Sequence, residues 1–378
     1  AFVYVSTAYC NCMTGRVILE HVYPTKYKPS YVIELVKDMS PEEIRDITAR
    51  LITDHPNTYS FSKQLAENLV KQDRQQIPVA IVRPTLVTSA WKEPVPGWTN
   101  SKNGPTGFMM GAAKGIVRRL PARKDLIYDY IPVDTVINEL IVAAWHVGTT
   151  RYLRPQTTCV YHCTSSTTMP FRWSAVEHQI HENLHKYPLK SAIWYPVFKL
   201  LPSLLLFRIS AIFVHLIPAY ILDTIIRIAG GRPILVRLHT NVNNSLGRLA
   251  PFIFNEWLFH NPHTVDLQER LSGQDREVFN LDISKLDWSD YFTHMLQGVR
   301  QYLHNEQPQT LPAAKRKDSI HHLGIHYFII IAVKVPTIQF KLDSAGLIRC
   351  AGVVGDGKLP GQLSVFYDEA LGYINGSL

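Results

Sequence analysis

The sequence predicts an α/β fold, in which part of a doubly wound parallel sheet is followed by a mainly helical C-terminal region. Three observations carry that expectation. Residues 1–9 and 77–85 are short apolar runs rich in β-branched and aromatic side chains, the composition of buried strands. Between them the chain around Tyr59 has helical character, so the order is β-α-β, the unit of a parallel sheet. From about Ala192 the pattern changes to long apolar stretches of helical length.

The first run ends on two hydroxyl side chains, Ser6 and Thr7. Residues 11–37 mix aromatic and charged types around Pro24 and Pro29 without clean periodicity, a long excursion of the kind that is usually functional. Ser40-Pro-Glu-Glu43 reads as a helix start, with Ser40 as N-cap, Pro41 in the first position and Glu43 closing a capping box. That helix is expected to run to about residue 52. His55-Pro-Asn-Thr58 introduces the next one, in which a Phe61, Leu65, Leu69 stripe is expected to pack on the sheet while Tyr59 and Lys63 point elsewhere.

The second apolar run stops at Pro84. Residues 89–121 are rich in Gly, Pro, Trp and Asn; within them, residues 107–115 are small and apolar enough to approach a ligand, and equally suit a structured loop with a short helix. Asp129-Tyr-Ile-Pro-Val-Asp134 reads as a strand returning to the core, followed by an apolar helix through Trp145. Asp134 is expected to cap that helix, and both aspartates are read as structural. Residues 159–166 look like a further strand ending in a turn.

Composition narrows the function classes. Apolar residues make up 46% and charged residues 19%, which is greasy for a soluble protein yet short of a polytopic membrane protein, so a membrane-associated enzyme fits. Lys and Arg exceed Asp and Glu by 39 to 31, a formal net charge of +8 that suits anionic lipid or ligand phosphates. No nucleic-acid partner is expected, because the basic residues are spread along the chain and the one dense cluster, Lys315-Arg-Lys317, adjoins an apolar tail. The five cysteines, Cys10, Cys12, Cys159, Cys163 and Cys350, lack zinc-site spacing and are read as reduced, cytosol-facing thiols. No catalytic metal is expected among the sixteen histidines, which form no His-Glu-x-x-His.

Tyr59 and Lys63 stand one helical turn apart, on one face. A phenol titrates near ~10 and acts as an acid at neutral pH only if a nearby positive charge stabilises its phenolate, which Lys63 is placed to do. The bare spacing also suits a plain helix with a half-buried Tyr and a solvated Lys. The neighbours tip the reading: both apolar runs end in their polar or ring residues, at Ser6-Thr7 and at Arg83-Pro84, and ligands of open parallel sheets bind outside the carboxyl ends of the strands.

Val5-Ser-Thr-Ala-Tyr-Cys-Asn11, Tyr59-Ser-Phe-Ser-Lys-Gln-Leu-Ala-Glu67, Arg83-Pro-Thr-Leu-Val, Lys92-Glu-Pro-Val-Pro-Gly-Trp98 and Asn103-Gly-Pro105 follow one another in an order that resembles the alcohol-forming fatty acyl-CoA reductases, within the extended branch of the short-chain dehydrogenase/reductase superfamily. Asn255-Glu-Trp-Leu-Phe259, Leu271-Ser-x-x-Asp275-Arg276-x-x-Phe279, Asp287-Trp-Ser-Asp-Tyr291 and Gly298-x-Arg-x-Tyr302 resemble the C-terminal domain of the same reductases, so the resemblance covers roughly residues 1 to 304. It implies a partial Rossmann-type sheet over 1–170, a hydrophobic connection over 171–206, a reductase C-terminal domain over 207–304, and a basic linker with an atypical tail over 305–378. Beyond Pro336 the family pattern is expected to end, and the glycine cluster at 352–357 is not read as a cofactor loop.

What the resemblance implies for chemistry is the NADPH-dependent reduction of a long-chain acyl-CoA to a primary alcohol through an aldehyde. Tyr59 is the implied proton donor and Lys63 its partner on the nicotinamide ribose. Thr7, with Ser6 as the alternative, is the implied hydrogen-bond partner of the carbonyl oxygen, and Pro84 and Thr85 would line the nicotinamide. The resemblance also implies a Gly-x-x-Gly-x-x-Gly turn before the first strand, which these residues lack, so the chain is expected to be a fragment holding half of its dinucleotide site. A membrane lipid surface is the second expected partner, at the cytosolic face of the endoplasmic reticulum or peroxisome; the oligomeric state is left open. Within the apolar region, residues 209–222 are short for a bilayer span, and a spanning helix, an interfacial hairpin or a buried helix all suit them. Two rivals stay open: another extended-branch oxidoreductase acting on steroids or sugar nucleotides, and a membrane-associated binding protein without turnover.

Overall fold

A computed structural model describes residues 1–73, 77–150, 158–334, 339–342 and 348–351. It divides into two units, Ala1–Ser319 and Ile320–Leu378. The strands of the first unit are β1 (Phe2–Val5), β2 (Val17–Ile18), β3 (Val79–Pro84), β4 (Leu86–Thr88), β5 (Arg119–Pro121), β6 (Tyr130–Pro132), β7 (Cys159–Cys163), β8 (Lys199–Leu201) and β9 (Leu258–Phe259). Its helices are α1 (Pro29–Lys37), α2 (Pro41–Leu51), α3 (Thr58–Asp73), α4 (Gly104–Ala113), α5 (Val133–Thr149), α6 (Trp173–Lys186), α7 (Leu204–Ala211), α8 (Ile217–Ile228), α9 (Leu235–Ile253), α10 (Pro262–Glu269), α11 (Gly273–Val278) and α12 (Trp288–Gly298), with α13 (Leu311–Lys334) starting in this unit.

The organising element is a parallel sheet of order β1-β3-β7, in which Val5 stands opposite Val82 and Pro84 opposite Cys163. All six residues of β3 are buried, because the sheet is covered on both faces. Strand alternation turns Arg83 toward α3, while Ala80 and Val82 join the core shared with Val142 and Ala143 of α5. Smaller parallel pairs, β4 with β6, β5 with β8 and β2 with β9, extend this frame. The expected α/β class with a parallel sheet and a helix-rich C-terminal half is the fold observed.

Several elements depart from expectation for identifiable reasons. The first strand stops at Val5, since Thr7 accepts a hydrogen bond from the Tyr9 N–H at 3.3 Å and starts a 3₁₀ turn over Ala8–Asn11. That strand also lies at an edge of the described sheet, with Phe2 and Val5 exposed rather than buried. On α3 the fully buried positions are polar, Ser60, Gln64 and Glu67, and the Phe61, Leu65, Leu69 stripe is half-buried. Buried Arg83 is the cause: it draws the Glu67 side of the helix onto the sheet.

The helix start at Ser40 is as read, capping box included. Asp134 does not cap its own helix; its carboxylate accepts from the backbone N–H groups of Trp91, Lys92 and Glu93 at 2.9, 2.8 and 3.1 Å and so anchors the preceding loop. The Leu311–Lys317 stretch expected as a linker is helical, with Ala314 buried and Lys317 Nζ donating to the Lys190 carbonyl at 3.1 Å. The apolar run at 325–333 continues this helix. In the second unit β10 (Gln339–Leu342) pairs antiparallel with β11 (Ile348–Ala351), and the glycine cluster at 352–357 lies outside the described residues.

Candidate functional site at the strand ends

The carboxyl ends of β1 and β3 and the first turns of α3 meet at one place. Lys63 Nζ donates to the Val5 carbonyl at 2.9 Å, which draws the Lys63 turn of α3 to the end of β1. The ammonium lies 5.2 Å from the Tyr4 ring centroid and 6.0 Å from that of Tyr59, so aromatic faces line its approach. Thr7 lies close enough to Tyr59 for its hydroxyl to act on the phenol. Of the two hydroxyls at the end of β1, Thr7 therefore faces the phenol, and Ser6 turns inward to Cys10 Sγ at 3.9 Å. Pro84, the last residue of β3, is buried beside them in the sheet.

Thr85 behaves differently. Its hydroxyl donates to Asp129 Oδ1 at 2.8 Å and its N–H to the Cys163 carbonyl, so its own donors hold the sheet together. Asp129 takes further bonds from the Ser165 N–H at 2.7 Å, the Ser166 N–H at 3.2 Å and the Thr164 hydroxyl, which pins the turn after β7. Both aspartates are thus satisfied internally.

Electrostatics at Tyr59 run against the simple expectation. Tyr59 is 55% exposed, yet the partial burial of its hydroxyl end pushes the phenol above the ordinary value, and the nearby Thr7 hydroxyl offsets that only in part. Lys63 directs its charge at the Val5 carbonyl instead, and an ammonium has three N–H donors, of which this bond uses one. The arrangement offers a ligand a hydroxyl pair and an ammonium at the edge of the sheet, which fits the hydroxyls of a ribose and a reacting carbonyl oxygen.

Sequence reasoning missed the polar chain beneath. Arg83 and Glu67 are both 0% exposed and meet at 2.6 and 2.8 Å through two guanidinium nitrogens. Arg83 also donates to the carbonyls of Leu19 at 3.2 Å and His21 at 2.8 Å, and to His162 Nε2 at 3.1 Å. Since a guanidinium only donates, His162 carries its hydrogen on Nδ1, toward the His260 carbonyl at 2.9 Å. Burial and the Arg83 charge hold this imidazole neutral, down to about 3. From Glu67 the chain continues to Cys10 Sγ at 3.3 Å, Asn11 at 3.0 Å and Gln64 at 2.8 Å. Burial against Glu67 pushes the Cys10 thiol well up, so it stays protonated and is no nucleophile. The signal in the sequence was the turn-spaced series Tyr59, Lys63, Glu67 together with an Arg inside an apolar strand.

The C-terminal half braces the same place from behind. Trp257 Nε1 donates to the Cys12 carbonyl at 2.8 Å, and β9 pairs with β2. Tyr9, two residues after Thr7, is held edge-on by Phe252, Trp257 and Phe259 at centroid distances of 5.5, 5.7 and 5.0 Å.

An NAD-binding family model described as male sterility protein matches residues 1–140, and a second male sterility protein model matches residues 214–306. The putative fatty acyl-CoA reductase CG8306 of Drosophila melanogaster is 46% identical over 370 residues, which is 97% of this chain and 70% of that protein. Fatty acyl-CoA reductase 1 of Xenopus laevis is 38% identical over 315 residues, 83% of this chain and 60% of that protein. Its human counterpart is 36% identical over the same length. The chain therefore spans 60% of the length of these vertebrate relatives. The stretch aligned with the fly protein reaches past Pro336, where the family pattern was expected to end.

Proposed function

The chain belongs to the fatty acyl-CoA reductases of the extended short-chain dehydrogenase/reductase superfamily, and from that premise we propose that it reduces a long-chain acyl-CoA to a primary alcohol through an aldehyde, with NADPH. The observation that carries this reading is the gathering of Tyr59, Thr7 and Lys63, with Lys63 Nζ on the Val5 carbonyl, at the ends of two parallel strands. Tyr59 and Lys63 would hold the nicotinamide ribose, and the backbone around Pro84 and Thr85 would line the ring. Bound there, the cofactor supplies hydride to the thioester carbon and then to the aldehyde carbon.

Thr7 donates to the carbonyl oxygen and fixes it against the phenol. Tyr59 gives that oxygen its proton, and Lys63, whose ammonium has N–H donors beyond the one on the Val5 carbonyl, would have to turn one of them to the phenolate left behind to stabilise it. Collapse after the first addition releases coenzyme A as the thiol. The greasy C-terminal half and the basic surface would keep the enzyme on a membrane lipid surface, at the cytosolic face of the endoplasmic reticulum or peroxisome, where such acyl chains partition.

The assay is product identification with palmitoyl-CoA. This reading predicts hexadecanol and two molecules of NADPH oxidised per molecule of coenzyme A released. Oxidation of the cofactor with a steroid or a sugar nucleotide, and none with palmitoyl-CoA, would replace it with the rival oxidoreductase.

A further inference from the structure

α7 and α8 are joined through a π turn at Ile212–Leu216 into one helical rod, Leu204–Ile228, of 25 residues, within which an 18-residue stretch has a mean hydropathy of 2.0. Its two sides differ. Phe207, Ala211, His215, Ala219 and Asp223 recur every four residues and are buried. Along this side the rod is fastened to the protein: His215 Nε2 accepts from the Arg118 N–H at 3.1 Å, and Asp223 caps α9 by accepting from the N–H groups of Ile234, Leu235 and Val236 at 3.1, 3.0 and 2.8 Å. The opposite side is an open apolar stripe that includes Leu205 at 67% exposure, Phe213 at 66%, Tyr220 at 60%, Ile221 at 57%, Ile225 at 54% and Ile228 at 82%.

The surrounding charge has one sign. Residues 191–255 contain six basic side chains, Lys199, Arg208, Arg227, Arg232, Arg237 and Arg248, and one acid, Asp223. All six basic residues are exposed, the acid is buried, and among the described residues none of the six forms a salt bridge, although the Arg227 charge acts on Asp223.

We propose that this stripe docks on an anionic phospholipid surface with the rod lying in the plane of the membrane, its Leu, Ile and Phe side chains among the upper acyl chains and the flanking arginines on headgroup phosphates. A rod fastened along one side from Phe207 to Asp223 cannot cross the bilayer without pulling His215 and Asp223 from their backbone partners. Such a rod lies in the interface as one helix, neither a spanning segment nor a hairpin. This placement deepens the membrane part of the proposed function, but binding is read without turnover, so failure of the reductase reading leaves it standing.

The test is co-sedimentation of the full chain with vesicles of phosphatidylcholine, with and without phosphatidylserine. The wild type is expected to sediment with the phosphatidylserine vesicles, less so as salt rises, and to be released at alkaline pH. Phe213→Glu with Ile221→Glu should lower the bound fraction by about tenfold. Ile33→Glu, at an exposed apolar site on α1, should not, and unchanged thermal melting of each variant shows that it folds. Undiminished binding by the double variant, or resistance to alkaline release, overturns the proposal. So does a concentration-dependent dimer that the double variant loses while no vesicles are bound, since the stripe then covers a second copy.

Discussion

Glu67 Oε2 lies 2.6 Å from Arg83 Nη2, and both side chains are fully buried. This contact ties the helix that carries Tyr59 and Lys63 to the strand that ends at Pro84. Buried pairs add little net stability when replaced together, but breaking one leaves a charge without compensation. Glu67→Gln should therefore cost about 3–5 kcal/mol in urea unfolding. Adding Arg83→Met should recover part of that loss. A cost below about 1 kcal/mol for the single variant would mean that water reaches the guanidinium.

The two hydroxyls at the end of β1 point to different partners, so they should separate kinetically. Thr7→Val is expected to lower turnover by about 10²-fold, the cost of one donor to a developing oxyanion. Ser6→Ala removes only the contact with Cys10 and should leave turnover near the wild type. Steady-state rates with palmitoyl-CoA measure both, and a larger loss at Ser6 would transfer the role to it.

Glu139 predicts a pH dependence. Burial raises its carboxyl to about 7, although Thr264 donates to it at 3.1 Å and Cys163 helps. Its folded pKa stands above the unfolded one, so the folded state holds the proton more tightly. Full stability is present below the unfolded pKa, and stability is lost as pH rises through about 7. Glu139→Gln removes this decline. Relative to the wild type it should gain on the order of 3 kcal/mol between pH 5 and pH 8, read from urea midpoints. A pH-independent difference would show that Glu139 is ionised throughout.

Local patterns carried the strands, the capping box at Ser40 and the Tyr59–Lys63 pair, because each is set within a few residues of chain. Long-range polar contacts were not legible. An Arg in an apolar strand signals that a buried partner is needed, but not that Glu67, rather than Phe61 or Leu69, will be drawn onto the sheet. Asp134 occupies a helix-start position and satisfies a loop some forty residues away, a choice made by tertiary packing. The preference for Thr7 over Ser6 came from resemblance; in the structure Thr7 caps the 3₁₀ turn near the phenol while Ser6 turns to Cys10.

The central claim is that Tyr59 gives the proton to the carbonyl oxygen. Its direct test is the rate of hexadecanol formation from palmitoyl-CoA and NADPH by Tyr59→Phe, with NADPH affinity measured alongside. The account predicts a fall of about 10²-fold or more in turnover while cofactor binding remains within the same order. Turnover equal to that of the wild type would contradict it.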